Sequence, residues 1–546
     1  MQLDPATASD PSQTNKDDMV SQVTEECDEK MKNIPSYEAN GHSTPSGQQS
    51  SRPSKLASDT SKSHFEHPMS LDEFRSRAHE AVDFICDYYS RVDSLPVRSS
   101  VEPGFLHKQL PTEAPQQAEK WDVIMKDVED KIVPGLTHWQ SSNFFAYYPC
   151  NSSFPGMLGE MLCAGFATQN FSWIGSPAAT ELETIVMDWL GKLLGLPQHF
   201  LSRKSDGSLG PGGGVIQGTA SEAALVCMLA ARARIMQARP SADMAKLVAY
   251  TSDQAHSSCK KATMIAGITN LRILKTEESA AWALQADMLQ QAIEQDLKAG
   301  LVPFYVFATA GTTSTATVDD LRGLATVSKP HNIWVHVDAA YAGATAVIPS
   351  MRHWFDGVEL TDSFSFNPHK WLLTNFDCAA LWVTDSAPLK TALSLTPAYL
   401  QAKGNALDYK DWQIPLGRRF RALKVWFVLR TYGQEGLQKY LEHHLRLAKL
   451  FQGFVEADDR FEIMAPPRFG LICFALQGVG KAGNAALLEA INSSGKVFMV
   501  HTEVGGKFML RFALGSTYVQ QHHVEAAWAV IQSKADGVMA QETNLM

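Results

Sequence analysis

Four places in the chain carry residue types whose setting allows chemistry. Lys370 follows a short apolar strand, Asp362 to Phe366, and stands between Ser363-Phe364-Ser365-Phe366 and Trp371-Leu372-Leu373. Lysine prefers water, and desolvation lowers an ammonium pKa, which frees the neutral amine for carbonyl chemistry. A lone lysine here would read as a side chain snorkelling from a strand end. Asp338 ends a second apolar run, Ile333 to Val337. The carboxyl end of a buried strand is where open α/β sheets bind ligands, with a helix cap as the plainer alternative. Gly212 to Ser221 reads GGGVIQGTAS and leads into a helix expected over Glu222 to Met236. A helix start offers free N–H groups and a positive dipole end, which suits a phosphate, and Thr219 and Ser221 add hydroxyls. No GxxxxGK[ST] occurs, so this is not a P-loop. His256 falls at the first turn of a helix after the strand Lys246 to Tyr250. The dipole there favours neutral imidazole, which could stack on a flat ligand or serve only as a cap.

The elements that must hold these residues are legible as a pattern. Apolar strands at Lys246 to Tyr250, Val302 to Ala308, Ile333 to Val337 and Asp362 to Phe366 alternate with amphipathic helices. That pattern indicates an α/β fold with a mainly parallel sheet covered on both faces. One such helix spans Thr180 to Leu194, with Leu182, Ile185, Trp189, Leu190 and Leu193 expected on its buried side and Gly195 as its stop. After a loop read as mobile, Leu389 to Asp408, helices are expected over Arg418 to Tyr432 and Leu437 to Val455. Strands at Leu471 to Phe474 and Met509 to Ala513 then alternate with helices at Asn484 to Ile491 and His523 to Ser533, a small α/β domain.

Towards the N-terminus, Leu71, Phe74, Ala78, Val82, Ile85 and Tyr89 recur at helical spacing, and a second helix is expected over Ala118 to Ile132. Each has one apolar stripe in need of a partner surface, which suggests a flap on another part of the protein or on a second subunit. Gly135 to Pro155 is dense in aromatic residues; composition alone favours core over the wall of a substrate pocket. Residues 1–65 are rich in Ser, Pro, Asp, Lys and Gln and read as a disordered tail. The expected division is a tail over 1–65, a helical segment over 66–150, a large domain over 151–430 and a small one over 431–546.

The composition narrows the class. A net charge of -10 over 546 residues argues against nucleic acid or anionic membranes as the main partner. The eight cysteines are scattered, without CxxC pairs or metal-ligand spacing, which points to a reduced interior and to no metal. Neither a signal peptide nor a spanning apolar run is visible, so a cytoplasmic, membrane-free protein is expected.

Together these parts meet the needs of pyridoxal phosphate held as a Schiff base on Lys370. Asp338 would pair with the pyridine nitrogen, Gly218 to Ser221 would take the phosphate, and Thr309 and Asn367 would add polar contacts. His256 would cover one ring face and Ala340 the other. The motifs then go further. NPHKW at Asn367–Trp371, HVDAAYAG at His336–Gly343, DQAHSS at Asp253–Ser258 and GGGVIQGTASEA at Gly212–Ala223 resemble the group II pyridoxal-phosphate-dependent decarboxylases. HWQSSNFFAYYP at His138–Pro149 and WQIPLGRRFR at Trp412–Arg421 narrow the resemblance to the aromatic-L-amino-acid decarboxylases.

This resemblance implies fold type I, with a large domain around a mainly parallel seven-stranded sheet, a small C-terminal α/β domain and an N-terminal helical flap. It implies a homodimer with a shared active site. Lys370 is then the cofactor lysine, with Asp338 on the ring nitrogen and His256 stacked on the ring. Thr219, Ala220, Ser221, Thr309, Ala340, Asn367 and His369 fall on or beside cofactor-contact positions. Trp139, Tyr148 and Pro149 match the substrate pocket, and Cys150 stands where animal relatives carry Thr near the substrate. Tyr399 falls on the mobile-loop tyrosine that protonates Cα after CO₂ leaves; relatives with Phe there make aldehydes instead. Gly417 sits where plant relatives pair Gly with indolic substrates and Ser with phenolic ones. The implied activity is decarboxylation of an aromatic L-amino acid (tryptophan or 5-hydroxytryptophan, tyrosine, phenylalanine or DOPA) to its amine, with an aromatic aldehyde synthase as the alternative.

Overall fold

Seven strands form the larger sheet: β1 (Gly213–Gln217), β2 (Leu247–Ser252), β3 (Asn270–Leu274), β4 (Val302–Thr309), β5 (Trp334–Asp338), β6 (Ser363–Phe366) and β7 (Ala379–Val383). The computed structural model that shows them describes residues 69–241, 243–395 and 407–545. The order in space is β1-β7-β6-β5-β4-β2-β3. β2 to β6 pair in parallel, and β7 lies antiparallel between β6 and β1. This is the mainly parallel seven-stranded sheet of fold type I. Its central strands read VPFYVFAT, WVHVD and SFSF because both faces are covered, so no polar-out alternation is required.

β1 is a departure. Residues 213–217 were expected as part of a glycine-rich turn, yet they form a fully buried edge strand. Small residues are needed there for packing: a Cβ on Gly214 would lie 2.6 Å from Met187 Cε and 2.7 Å from Trp382 Nε1.

The helix expected over Thr180 to Leu194 spans Pro177–Leu194 and ends at Gly195, whose φ of +76° suits a left-handed stop. Its buried face, however, is Glu183, Val186, Met187 and Leu190, while Ile185 and Trp189 are exposed. The reason is polar. Glu183 Oε1 accepts from Ile216 N at 2.8 Å and pairs with Arg418, which turns those two apolar residues outward. Both charged side chains are almost wholly buried, and Arg418 also donates to Gln413 Oε1 at 2.6 Å. Breaking one half of such a pair leaves a buried uncompensated charge. Glu183→Gln is therefore expected to destabilise the protein by about 3–5 kcal/mol, read as a fall in the urea midpoint at fixed protein concentration.

Other expectations shift at their edges. The helix over Ala118 to Ile132 begins at Trp121 and is α-helical only to Asp127, then widens over Val128–Ile132 and tightens over Val133–Gly135. Pro134 carries no N–H to continue the ladder. The two helices expected around Tyr432 are found within Ala422–Glu456, separated at Gly433, whose φ of 62° and ψ of 177° are not helical. The first of them packs on the helix Phe154–Phe166 at Gly159, where a Cβ would stand 2.6 Å from Lys424 Cα.

The smaller sheet is antiparallel, β8 (Phe461–Ile463), β9 (Leu471–Leu476), β10 (Val500–Val504) and β11 (Lys507–Ala513), in the order β10-β11-β9-β8. The helices Gly480–Asn492 and Gln521–Leu545 accompany it. Its core is an aromatic stack: Phe451 lies 3.7 Å from Phe512, and Phe512 lies 4.0 Å from Phe145. The aromatic-rich stretch around residue 145 thus contributes to this core as well as to the site below.

Candidate active site

The carboxyl ends of β4, β5 and β6 meet at one point. Register places Thr309 opposite Asp338, and Asp338 opposite Ser365. After β6 the chain turns at Asn367, whose N–H donates to Ala340 O at 3.0 Å. A single helical turn, Pro368–Trp371, then lifts Lys370 over the strand ends. Asp338 Oδ1 accepts from Ala340 N at 3.0 Å, which fixes the carboxylate and the small residue together.

A cavity of about 200 Å³ lies there. Thr219, Ala220 and Ser221 line it from the start of the helix Ala220–Ala238, where Thr219 Oγ1 caps the helix by accepting from Glu222 N at 3.3 Å. That first helical turn leaves backbone donors without intrahelical partners. Lys370, Asp338, Thr309, Ala340, Asn367 and His256 line the same space, with Gly311, Thr313, Tyr341 and Tyr148. Gly311 holds φ +93°, and a Cβ would stand 2.6 Å from that of Ala342.

Burial is the main electrostatic influence. It pushes Lys370 below the usual lysine pKa, with Asp338 opposing, and pushes Asp338 above the usual carboxylate range, with Lys370 opposing. His256 caps the helix Ser257–Ile265, its Nδ1 accepting from Ser258 N at 3.2 Å. Burial lowers its pKa too, so its ring is neutral at neutral pH. Two acceptors in the cavity wall, Thr309 Oγ1 and Asn367 Oδ1, are buried with no hydrogen-bond partner. Buried polar groups are normally satisfied, so these two point to a polar ligand.

A second cavity, about 580 Å³, adjoins the first and shares Tyr148, Thr313, His256 and Lys370 with it. Trp139, Tyr147, Pro149, Cys150, His369 and Phe376 complete its lining, and Trp139 stacks on Tyr147 with centroids 5.5 Å apart.

Comparison with known proteins decides the family: the model of the pyridoxal-dependent decarboxylase conserved domain matches residues 103–477. The chain belongs to the pyridoxal-dependent decarboxylases. Tyrosine decarboxylase 2 of Narcissus pseudonarcissus is 50% identical over 485 residues, covering 87% of this chain and 96% of its own. A phenylacetaldehyde synthase of Arabidopsis thaliana is 50% identical over 480 residues, covering 86% and 97%. The solved structure of Oryza sativa tryptophan decarboxylase with pyridoxal phosphate and tryptamine superposes with a TM-score of 0.84 at 42% identity, covering 87% of this chain and all of that one.

The cofactor of this decarboxylase is pyridoxal 5′-phosphate, and the residues present fit it. The smaller cavity offers a reactive amine, one carboxylate, a helix start and two unpartnered acceptors. Of the residues foreseen from sequence, Lys370, Asp338, His256, Thr219, Ala220, Ser221, Thr309, Ala340 and Asn367 line that cavity. Trp139, Tyr148, Pro149 and Cys150 line the larger one.

Two lie elsewhere. His369, expected at the cofactor, lines the larger cavity, because its Nδ1 accepts from Cys378 N at 2.9 Å and turns the ring away. Gly417 lines neither cavity; a Cβ there would stand 3.3 Å from Gln169 Oε1. Tyr399 falls outside the described residues. Sequence reasoning gave no role to Phe376, Thr313 or Tyr341. Tyr341 stood within a quoted motif, whereas Phe376 sits in a stretch with no periodic or motif signal.

Proposed function

We propose that this decarboxylase acts on aromatic L-amino acids and releases CO₂ and the corresponding arylalkylamine. The observation that carries the reading is the larger cavity: an aromatic-lined space that opens directly onto Lys370 and His256. Flat rings pack well against Trp139, Tyr147 and Phe376, and such a pocket suits an aryl side chain.

The residues divide the work. Bound pyridoxal phosphate supplies a ring that accepts the electron pair left when a bond to Cα breaks. The first turn from Thr219 to Ser221 holds its phosphate, and Thr309 and Asn367 orient it through their unpartnered oxygens. Asp338, the one carboxylate that lines the cavity among the described residues, would pair with the ring nitrogen of the cofactor and keep it protonated. Lys370 would be the residue that holds the cofactor covalently, and its lowered pKa favours the neutral, nucleophilic amine. His256 lies across the seam of the two cavities and shields the reacting centre from water. Tyr399 donates the proton to Cα.

The test is a panel of Trp, 5-hydroxytryptophan, Tyr, Phe and DOPA with products identified by mass spectrometry. Amine from at least one supports the reading, and no amine from any defeats it. A second reading, an aromatic aldehyde synthase, is favoured by the 50% identity to a phenylacetaldehyde synthase. Its signature is aldehyde, ammonia and hydrogen peroxide in place of amine. Tyr399 favours the amine. Tyr399→Phe is expected to move most of the product to aldehyde, with cofactor content unchanged; unaltered amine output would remove Tyr399 from the role.

The assembly we propose is a homodimer with a shared site, built from an N-terminal flap over 66–150, a large domain over 151–430 and a small one over 431–546. The helix Leu71–Arg91 buries no residue and exposes Leu71 and Phe74; the helix Phe154–Phe166 exposes Phe154, Leu158 and Phe166. Apolar faces of this kind mark interaction surfaces. Leu158→Glu combined with Leu162→Glu is expected to yield monomer in sedimentation analysis and to abolish turnover. A cytoplasmic location fits the seven described cysteines, all free. Among the described residues no helix is long and apolar enough to cross a membrane.

A further inference from the structure

One buried cation stands beside the two cavities with no anionic partner among the described residues. Arg511, on β11 of the smaller sheet, is 3% exposed, and among the described residues no carboxylate pairs with it. Its contrast is Arg418, equally buried but matched by Glu183. Arg511 Nε donates to Ser314 O at 3.1 Å, its guanidinium carbon lies 5.1 Å from the centroid of the Tyr148 ring, and its Nη2 is buried without any hydrogen bond. A guanidinium so placed keeps an unspent donor out of water, a cost that one π face offsets only in part.

The neighbours of Arg511 form the wall between the two cavities. Tyr148 stacks on Tyr341 with centroids 3.8 Å apart and donates its hydroxyl to Thr312 O at 2.9 Å. Ser314 O accepts from Cys473 Sγ as well as from Arg511. Thr313, between those two carbonyls, lines both cavities, and so does Tyr148. Arg511 therefore grips, from the C-terminal sheet, both the ring and the loop that separate the cofactor space from the substrate space.

We propose that Arg511 is a positioning residue of the decarboxylase site, locking the Tyr148–Thr313 wall and holding a positive charge at the same Tyr148 ring that Lys370 faces, with Lys370 Nζ 5.7 Å from its centroid. The wall function requires the planar fork, which alone can lie against a ring while donating to a carbonyl. The charge function requires only a cation. The titratable and charged groups facing Lys370 are Asp338, Cys150, His256, His369, Tyr148 and Arg511. Of these, Arg511 opposes the ammonium form with a permanent charge, which favours the neutral amine. The inference rests on the proposed role of Lys370 and not on which amino acid is consumed.

The two functions separate in two variants, Arg511→Met and Arg511→Lys, with Arg511→Gln in reserve where Met prevents folding. The first readout uses cofactor-free protein: the rate at which Lys370 is acetylated by acetic anhydride between pH 6 and 10, followed by peptide mass spectrometry. The second is the split between kcat and KM in the reconstituted enzyme. Arg511→Met is expected to label Lys370 about fivefold to tenfold more slowly at pH 7.5, with the labelling profile moved to higher pH. Arg511→Lys is expected to label as the parent does, yet to raise KM by about tenfold because the wall is no longer locked. Parental labelling in the Met or Gln variant overturns the charge function, and parental KM in the Lys variant overturns the wall function. Labelling needs no substrate, so a panel in which no aromatic amino acid reacts would defeat the functional reading while leaving this result to stand.

Discussion

Replacing Lys370 with alanine is expected to lower decarboxylation by more than about 10³-fold and to abolish covalent retention of the cofactor. The amine is the one lysine that lines either cavity among the described residues, so no neighbour takes over. The variant should still fold. Lys370 sits on a single helical turn held by backbone bonds, its own N–H donating to Asn367 O at 2.9 Å and that of Leu372 to Pro368 O at 2.9 Å. The measurement is cofactor content after borohydride reduction and gel filtration, alongside initial rates. Stoichiometric cofactor fixed by borohydride in the variant would show another residue to be the capturing amine.

The second large effect concerns Asp338. Asp338→Ala is expected to reduce turnover by about 10²–10³-fold, the scale for losing a preorganised electrostatic group. A second result distinguishes this from simple damage. Asp338 is the foremost neighbour that raises the Lys370 pKa against the lowering caused by burial, with Cys150 after it. Without Asp338 the amine is driven further down, so more of it is neutral at pH 7. Cofactor-free Asp338→Ala should therefore acylate at Lys370 faster than the parent at neutral pH, while the loaded enzyme turns over far more slowly. Unimpaired turnover would refute the pairing with the ring nitrogen, and slower acylation would refute the field assigned to the carboxylate.

Much of this site could be read before any coordinates. Asp338 and Thr309 were legible because each ends a run of apolar residues, and the ends of neighbouring parallel strands lie side by side. Lys370 was legible only in company: alone it reads as a side chain snorkelling from a strand end, and the other three places give its amine a task. The glycine-rich stretch was only half read: its helix start was expected, but its strand was not, because Gly213 and Gly214 have no side chains to show a period. Ile185 and Trp189 misled for another reason. A periodic stripe reports that a face will be covered, and the face taken inward was chosen by Glu183, Ile216 and Arg418, which are far apart in sequence. Arg511 left no trace at all. In the string KFMLRFALG an arginine within a strand looks like an outward-facing residue, and only the approach of Tyr148 and Ser314 shows it to be enclosed.

The position of β7 has a consequence for how the enzyme is made. β1 is an edge strand whose single neighbour is β7, and the turn proposed to hold the phosphate follows β1 directly. A nascent chain that has not yet emerged beyond Val383 carries that turn on a strand with nothing to pair with, however complete β2 to β6 already are. Capture of the vitamin must therefore await the final third of synthesis, and a ribosome stalled earlier would present a chain that vitamin B6 supplementation could not rescue.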